Sequence, residues 1–138
     1  MGVGINYELG ITNYDNLLKM KSNNVVQEKS FAFAVRVVKA YKYLAETKKE
    51  YVLSKQFLRS GTSIGANIEE AIGGQSDADF MAKITIGNKE ARETKYWIRL
   101  LKETGYFEES EALSLLNDLE EILRIIGSIQ ITMKAKSM

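Results

Sequence analysis

Arg59-Ser-Gly-Thr-Ser-Ile-Gly-Ala-Asn-Ile-Glu-Glu-Ala71 decides how this chain folds. Read at helical spacing, Phe57, Gly61, Ile64, Ile68 and Ile72 fall on one face. Arg59, Ser63, Asn67 and Glu70 form a polar line beside it. Gly61 and Gly65 sit inside this helix, where each glycine costs about 1 kcal/mol against alanine. A helix keeps such residues where a neighbouring backbone must come close, because glycine has no Cβ in the way. The stretch therefore reads as the close-packed centre of a helical fold.

Outward from it, punctuation is clear. Gly73-Gly74 ends this helix, which starts near Tyr51. Ser76, followed three residues later by Asp79, opens a third helix over 77–103, and Thr104-Gly105 stops it. Its core face is Phe80, Ile84, Gly87, Ala91, Ile98 and Leu101. A fourth helix spans 108–134, with Glu108, Glu109 and Glu111 in the first turn, where the helix dipole favours anions. Leu115, Leu116, Leu119, Ile122, Leu123, Ile126, Ile129 and Met133 form its apolar stripe.

The first helix is expected over 30–48. Phe31, Ala34, Val35, Val38, Tyr41 and Ala45 recur at helical spacing, and Phe33, Val37, Ala40 and Leu44 widen the stripe. Residues 1–23 show no sustained period and read as an extended or poorly ordered lead-in, with Met20 as a second candidate start. Residues 24–138 then form one all-α domain: four helices with short connections, an up-down-up-down antiparallel bundle.

Composition narrows the chemistry. The 138 residues contain no proline, no cysteine and no histidine. That removes internal helix breakers, disulfides, thiolate chemistry, the commonest general base and the commonest metal ligand. The expectation is a protein that is not an enzyme and carries no cofactor or metal. Di-iron bundles need Glu-x-x-His, so the acid pairs Glu69-Glu70 and Glu120-Glu121 lack that signature. Net charge is +1, but residues 28–50 hold six bases and three acids, and residues 108–136 hold three bases and six acids. This polarity predicts complementary surfaces within or between subunits, or a local basic patch. No apolar run approaches the about 20 residues of a membrane span, and no signal peptide is visible. A cytoplasmic location without membrane contact is expected.

The runs Lys29-Ser-Phe-Ala-Phe-Ala34, Gln56-Phe-Leu-Arg-Ser60 and Ser63-Ile-Gly-Ala-Asn-Ile-Glu-Glu-Ala71 together resemble the bacterial four-helix-bundle proteins encoded in 23S rRNA intervening sequences. Asn88-Lys-Glu-Ala-Arg-Glu-Thr-Lys-Tyr-Trp97 supports the resemblance, which covers about 24–133. It implies a homo-oligomer, a pentameric ring. A similar bundle is the accessory protein of diversity-generating retroelements, whose basic pentameric barrel binds nucleic acid and the reverse transcriptase. This chain departs from many relatives in carrying Glu70-Ala71 where they have Glu-Gly, which implies a shifted end to the second helix.

Three sets of residues are candidate sites, each with two readings. The polar line Arg59, Ser63, Asn67 and Glu70 either grips a phosphate or partner chain, or fixes helix register by hydrogen bonding. Arg92, Lys95, Arg99 and Lys102, with Lys89 just outside, form a basic face on the third helix. This face either tracks RNA or DNA phosphates or is a solvated surface with Lys89–Glu93 and Arg99–Glu103 pairs. Ile86, Trp97, Leu113, Ile125 and Ile131 lie off the core stripes and are either scattered exposed apolar residues that need no explanation or contacts with further copies, with Trp97 as the aromatic anchor. The expected activity is that of an oligomeric scaffold binding nucleic acid through the basic face; the alternative is an adaptor that binds another protein.

Overall fold

The computed structural model describes residues 11–137, excluding the side chains of 11–16, 18 and 137. It has four helices: α1 (Ile11–Glu46), α2 (Leu53–Ile72), α3 (Asp77–Glu103) and α4 (Glu109–Ser137). Each packs on its neighbours in the cycle α1–α2–α3–α4–α1, so α1 and α3, like α2 and α4, face across diagonals.

Cross-helix partners give the direction of every pair. Gln27 meets Glu69 while Gly61 meets Val37, Lys83 meets Glu70 while Thr94 meets Ser60, and Asn88 meets Gln130 while Lys95 meets Glu120. Lys29 pairs with Glu121 and Arg36 with Glu111. In each pair one number rises as the other falls, so all four contacts are antiparallel.

The core faces of α3 and α4 are those expected from the sequence. Phe80, Ile84, Gly87, Ala91, Ile98 and Leu101 are buried, as are Leu115, Leu119, Ile122, Ile126, Ile129 and Met133. Leu116 and Leu123 pack against this core at its margin. On α2 the buried face is Phe57, Gly61, Ile64, Gly65, Ile68 and Ala71, whereas Ile72 is exposed in the last turn. Helix α2 ends at Ile72 with Gly73 as its cap, and the amide of Gly73 donates to the carbonyl of Glu69.

Helix α1 corrects the sequence reading twice. It begins at Ile11, so residues 11–23 are helical rather than an extended lead-in, and residues 1–10 lie outside the described residues. Those early turns hold apolar residues without a sustained period, but Lys19 reaches Asp77 at 3.7 Å and lies 5.2 Å from the Phe80 ring centre. Tertiary contact thus supports helix where periodicity gives no signal. The second correction concerns the buried face. Val26, Phe33, Val37, Ala40 and Leu44 enter the core, while Phe31 is 68% exposed and Val35 and Val38 stand at 39% and 38%. Both stripes have helical spacing. Packing against α2 selects the one that contains Val37.

The two glycines of α2 explain that selection. A Cβ on Gly65 would lie 3.3 Å from the carbonyl oxygen of Ser30, so here the backbone of α1 does come close. At Gly61 the close neighbour is a side chain instead: a Cβ would meet both methyls of Val37 at 2.8 Å. Dense interiors leave no slack for such an addition.

The helix starts differ in their caps. The Ser76 hydroxyl accepts from the amide of Asp79 at 3.0 Å, as expected from the sequence. Helix α2 is capped by Glu50, in the connection that precedes it. Its carboxylate accepts from the amides of Val52, Leu53 and Ser54, the last at 2.6 Å. Burial alone would raise the Glu50 carboxyl; these amides outweigh it and hold the group below its ordinary value.

Candidate nucleic-acid interface and its surroundings

Start with the polar line on α2, which lies along the α2–α3 boundary. Ser63 donates to the carbonyl of Arg59 at 2.6 Å, and Asn67 donates to the carbonyl of Ser63 at 2.8 Å. Its two ends reach across to α3: Glu70 meets Lys83 at 3.0 Å, and Arg59 donates to Glu90 and Glu93. Glu93 also accepts from the indole N–H of Trp97 at 2.9 Å. The Trp97 bond, helped by Arg59 and against some burial, holds the Glu93 carboxyl below its usual range. The Arg59 guanidinium is raised in turn, first by its bond to Glu93. The line is thus a set of bonds within α2 and from α2 to α3. Every donor group of Arg59 described as bonded goes to carboxylates of the same chain.

Sequence reading missed the buried polar contact beneath this line. Ser60 and Thr94 are both fully buried, and the Thr94 hydroxyl donates to that of Ser60 at 2.9 Å. Thr94 also lies 2.8 Å from the carbonyl of Glu90, one turn back. Thr94 sits between Ala91 and Ile98 in the core stripe of α3, which is the only hint the sequence carries.

Of the five basic residues expected to form a face on α3, Lys95 and Arg92 lie on its α4 side. Lys95 meets Glu120 of α4 at 2.8 Å, a charge contact rather than a directional hydrogen bond. Lys102 lies 3.7 Å from Glu103 beside it. Arg92 donates its Nε hydrogen to the side chain of Asn88, and Asn88 in turn reaches Gln130 of α4 at 3.5 Å. The two pairs expected at four-residue spacing are absent among the described residues. Glu93 is turned to Arg59 and Trp97, and Glu103 lies against Lys102. Lys89, Arg92 and Arg99 therefore stand exposed with no carboxylate partner among the described residues.

The charge polarity between residues 28–50 and 108–136 is used within the chain. Lys29 meets Glu121 at 2.8 Å, and Arg36 reaches Asp118 at 2.7 Å and Glu111 at 3.3 Å. The adjacent acids face different partners: Glu69 accepts from Gln27 whereas Glu70 meets Lys83, and Glu120 meets Lys95 whereas Glu121 meets Lys29.

The off-core apolar set separates into two kinds. Ile86, Leu113 and Ile131 are exposed, Ile131 at 71%. Trp97 and Ile125, expected off the core, are instead partly buried against it. Trp97 sits on the α2 side of α3, where its indole N–H is bonded to Glu93 and its ring meets Tyr96 edge-on at 5.0 Å.

The family model described as 23S rRNA-intervening sequence protein matches residues 22–128. The chain belongs to that family. A crystal structure of a protein of unknown function from the S23 ribosomal protein family of Bacteroides thetaiotaomicron is also similar, with 52% sequence identity and a TM-score of 0.78. The match covers 79% of this chain and 97% of that one. The curated proteins contain no match. The family match takes in the core of α1, all of α2 and α3, and most of α4, so both the Ser60–Thr94 contact and the basic edge lie inside it. Among the described residues, no helix is long and apolar enough to cross a membrane.

Proposed function

We propose that this family member is a non-enzymatic, homo-oligomeric scaffold that lays the α3 edge along nucleic-acid phosphates. The observation that carries this reading is the set Lys89, Arg92 and Arg99, exposed on one helix without carboxylate partners among the described residues. Lys95 and Lys102 extend the same edge, although each already has an acid beside it. Arginine presents a planar fork of donors to phosphate oxygens, and such contacts read the backbone without regard to base sequence. Assembly of several copies would repeat the edge and concentrate its charge. The pentameric ring implied by the resemblance is the assembly proposed, with Ile86, Leu113 and Ile131 as its contact candidates, in the cytoplasm.

The test is binding of a labelled RNA hairpin and a DNA duplex between 50 and 200 mM salt, concentrations over which phosphate contacts weaken markedly. Arg92→Glu with Arg99→Glu should abolish binding while far-ultraviolet circular dichroism stays unchanged. Binding that ignores both salt and this double change overturns the reading. The exposed apolar Leu113 and Ile131 on α4 support a second reading, an adaptor for another protein. Its mark is partner binding that survives the same charge reversal.

A further inference from the structure

The outward face of α1 carries an unusual pattern. Glu28, Phe31, Val35, Val38 and Lys42 follow one another at spacings of three, four, three and four, the repeat of a helix-pairing seam. None of the five is buried, and Phe31 at 68% exposure is among the most exposed large apolar residues described. The α1 core stripe, through Phe33, Val37, Ala40 and Leu44, is a separate set already packed inside the bundle. Helix α1 thus has two apolar faces, and among the described residues only one is covered.

We propose that the uncovered face pairs with the same face of a second copy, about a two-fold axis passing near Val35. A two-fold contact requires the surface to complement itself, residue i meeting residue j and j meeting i. This face does so in an antiparallel arrangement. Glu28 lies seven residues before Val35 and Lys42 seven after it, so Glu28 of each copy comes opposite Lys42 of the other. Phe31 and Lys39 lie four residues to either side, which brings the Lys39 ammonium to the exposed Phe31 ring. Glu28, Lys39 and Lys42 have no ion pair or hydrogen bond among the described residues, unlike Lys29 and Arg36 on the α4 side of the same helix. A parallel pairing would instead set Glu28 against Glu28 and Lys42 against Lys42. Charge therefore selects the antiparallel form.

This contact is separate from the ring contacts proposed on α3 and α4, and it does not depend on nucleic-acid binding. A ring of five has only head-to-tail contacts, so a two-fold contact added to it joins two rings.

The chain contains no cysteine, which gives a direct test on the full-length protein. Val35→Cys places one thiol at the proposed axis, and Thr132→Cys places one on the exposed side of α4 as a control. Under mild oxidation, Val35→Cys should form a covalent dimer about tenfold faster or more, because pairing raises the effective thiol concentration. In parallel, Glu28→Lys should weaken pairing measured by analytical ultracentrifugation, and Glu28→Lys with Lys42→Glu should restore it. Equal crosslinking rates for the two cysteine variants overturn the contact. Loss of pairing in the swapped double variant as well overturns the antiparallel arrangement. Changes at Ile131 or Leu113 leave the Val35→Cys crosslink in place, so failure of the ring and failure of this contact are read separately.

Discussion

Thr94 and Ser60 share a hydrogen bond in a place where neither can reach water. The bond joins α2 to α3 at the middle of the bundle, and it satisfies hydroxyls that burial would otherwise leave costly. Thr94→Val keeps the shape but strips Ser60 of its short contact, leaving only the carbonyl of Phe57 at 3.4 Å. The expected loss is about 1–3 kcal/mol in urea unfolding. Adding Ser60→Ala should recover part of it, since removing both partners is far less costly than orphaning one. A double variant as unstable as the sum of its parts would contradict this account.

Gly61→Ala sets helix propensity against packing. Alanine is favoured by about 1 kcal/mol in a helix interior. The new methyl, however, meets two Val37 methyls at 2.8 Å in the core, and overpacking costs about 1–3 kcal/mol. Net destabilisation is expected. Val37→Ala opens the space, so the pair Gly61→Ala with Val37→Ala should be more stable than the sum of the two single changes allows. Thermal unfolding of all four proteins reads the coupling.

Glu50 caps α2 through three amides, and Glu50→Ala should lower stability by about 0.5–2 kcal/mol. The carboxyls of Glu50 and Glu93 are both held below their ordinary value of 4.5. Each binds its proton less readily folded than unfolded, so its stabilisation is present above about pH 4.5 and is lost as the pH falls through the folded value. Both groups are only partly buried, which keeps the effect small. Melting temperature followed from pH 7 to pH 3 should decline below about pH 5, and the decline should be shallower in Glu50→Gln.

Ring assembly is better tested at Ile131 than at Trp97. Trp97 packs against the core and holds Glu93, so its replacement would also disturb the subunit. Ile131 is 71% exposed, and exposed sites away from special features change stability by no more than about 0.5 kcal/mol. Ile131→Glu should reduce the assembled mass in light scattering while leaving the melting curve of the separated chain unchanged. An unaltered mass would remove Ile131 from the contact.

Three of the four helices were legible because their apolar residues mark one face each, and glycines or Ser76 mark their limits. Helix α1 was legible as a helix but not in its orientation. Two stripes share it, and spacing does not say which one meets Gly61 and Gly65; only the approach of Ser30 and Val37 does. Its early turns were missed because residues such as Lys19 are anchored by partners far along the chain. The basic edge was legible in position. Its lack of partners was not, because Glu93 and Glu103 each had a nearby cation that the fold passed over.

Asp77 takes part in two ion pairs, with Lys19 of α1 and Lys136 of α4, each at 3.7 Å. The early part of α1 and the last turn of α4 are therefore neighbours at one end of the bundle, while Gly105 turns the chain at the other. A short linker from Lys136 to Lys19, replacing the turns of α1 before it, would close the bundle on itself. Fresh ends could then be cut at Gly105, where φ is +82° and a Cβ would meet nothing within 4 Å. The bundle should accept such a circular permutation, with its order of helices rearranged and its packing unchanged.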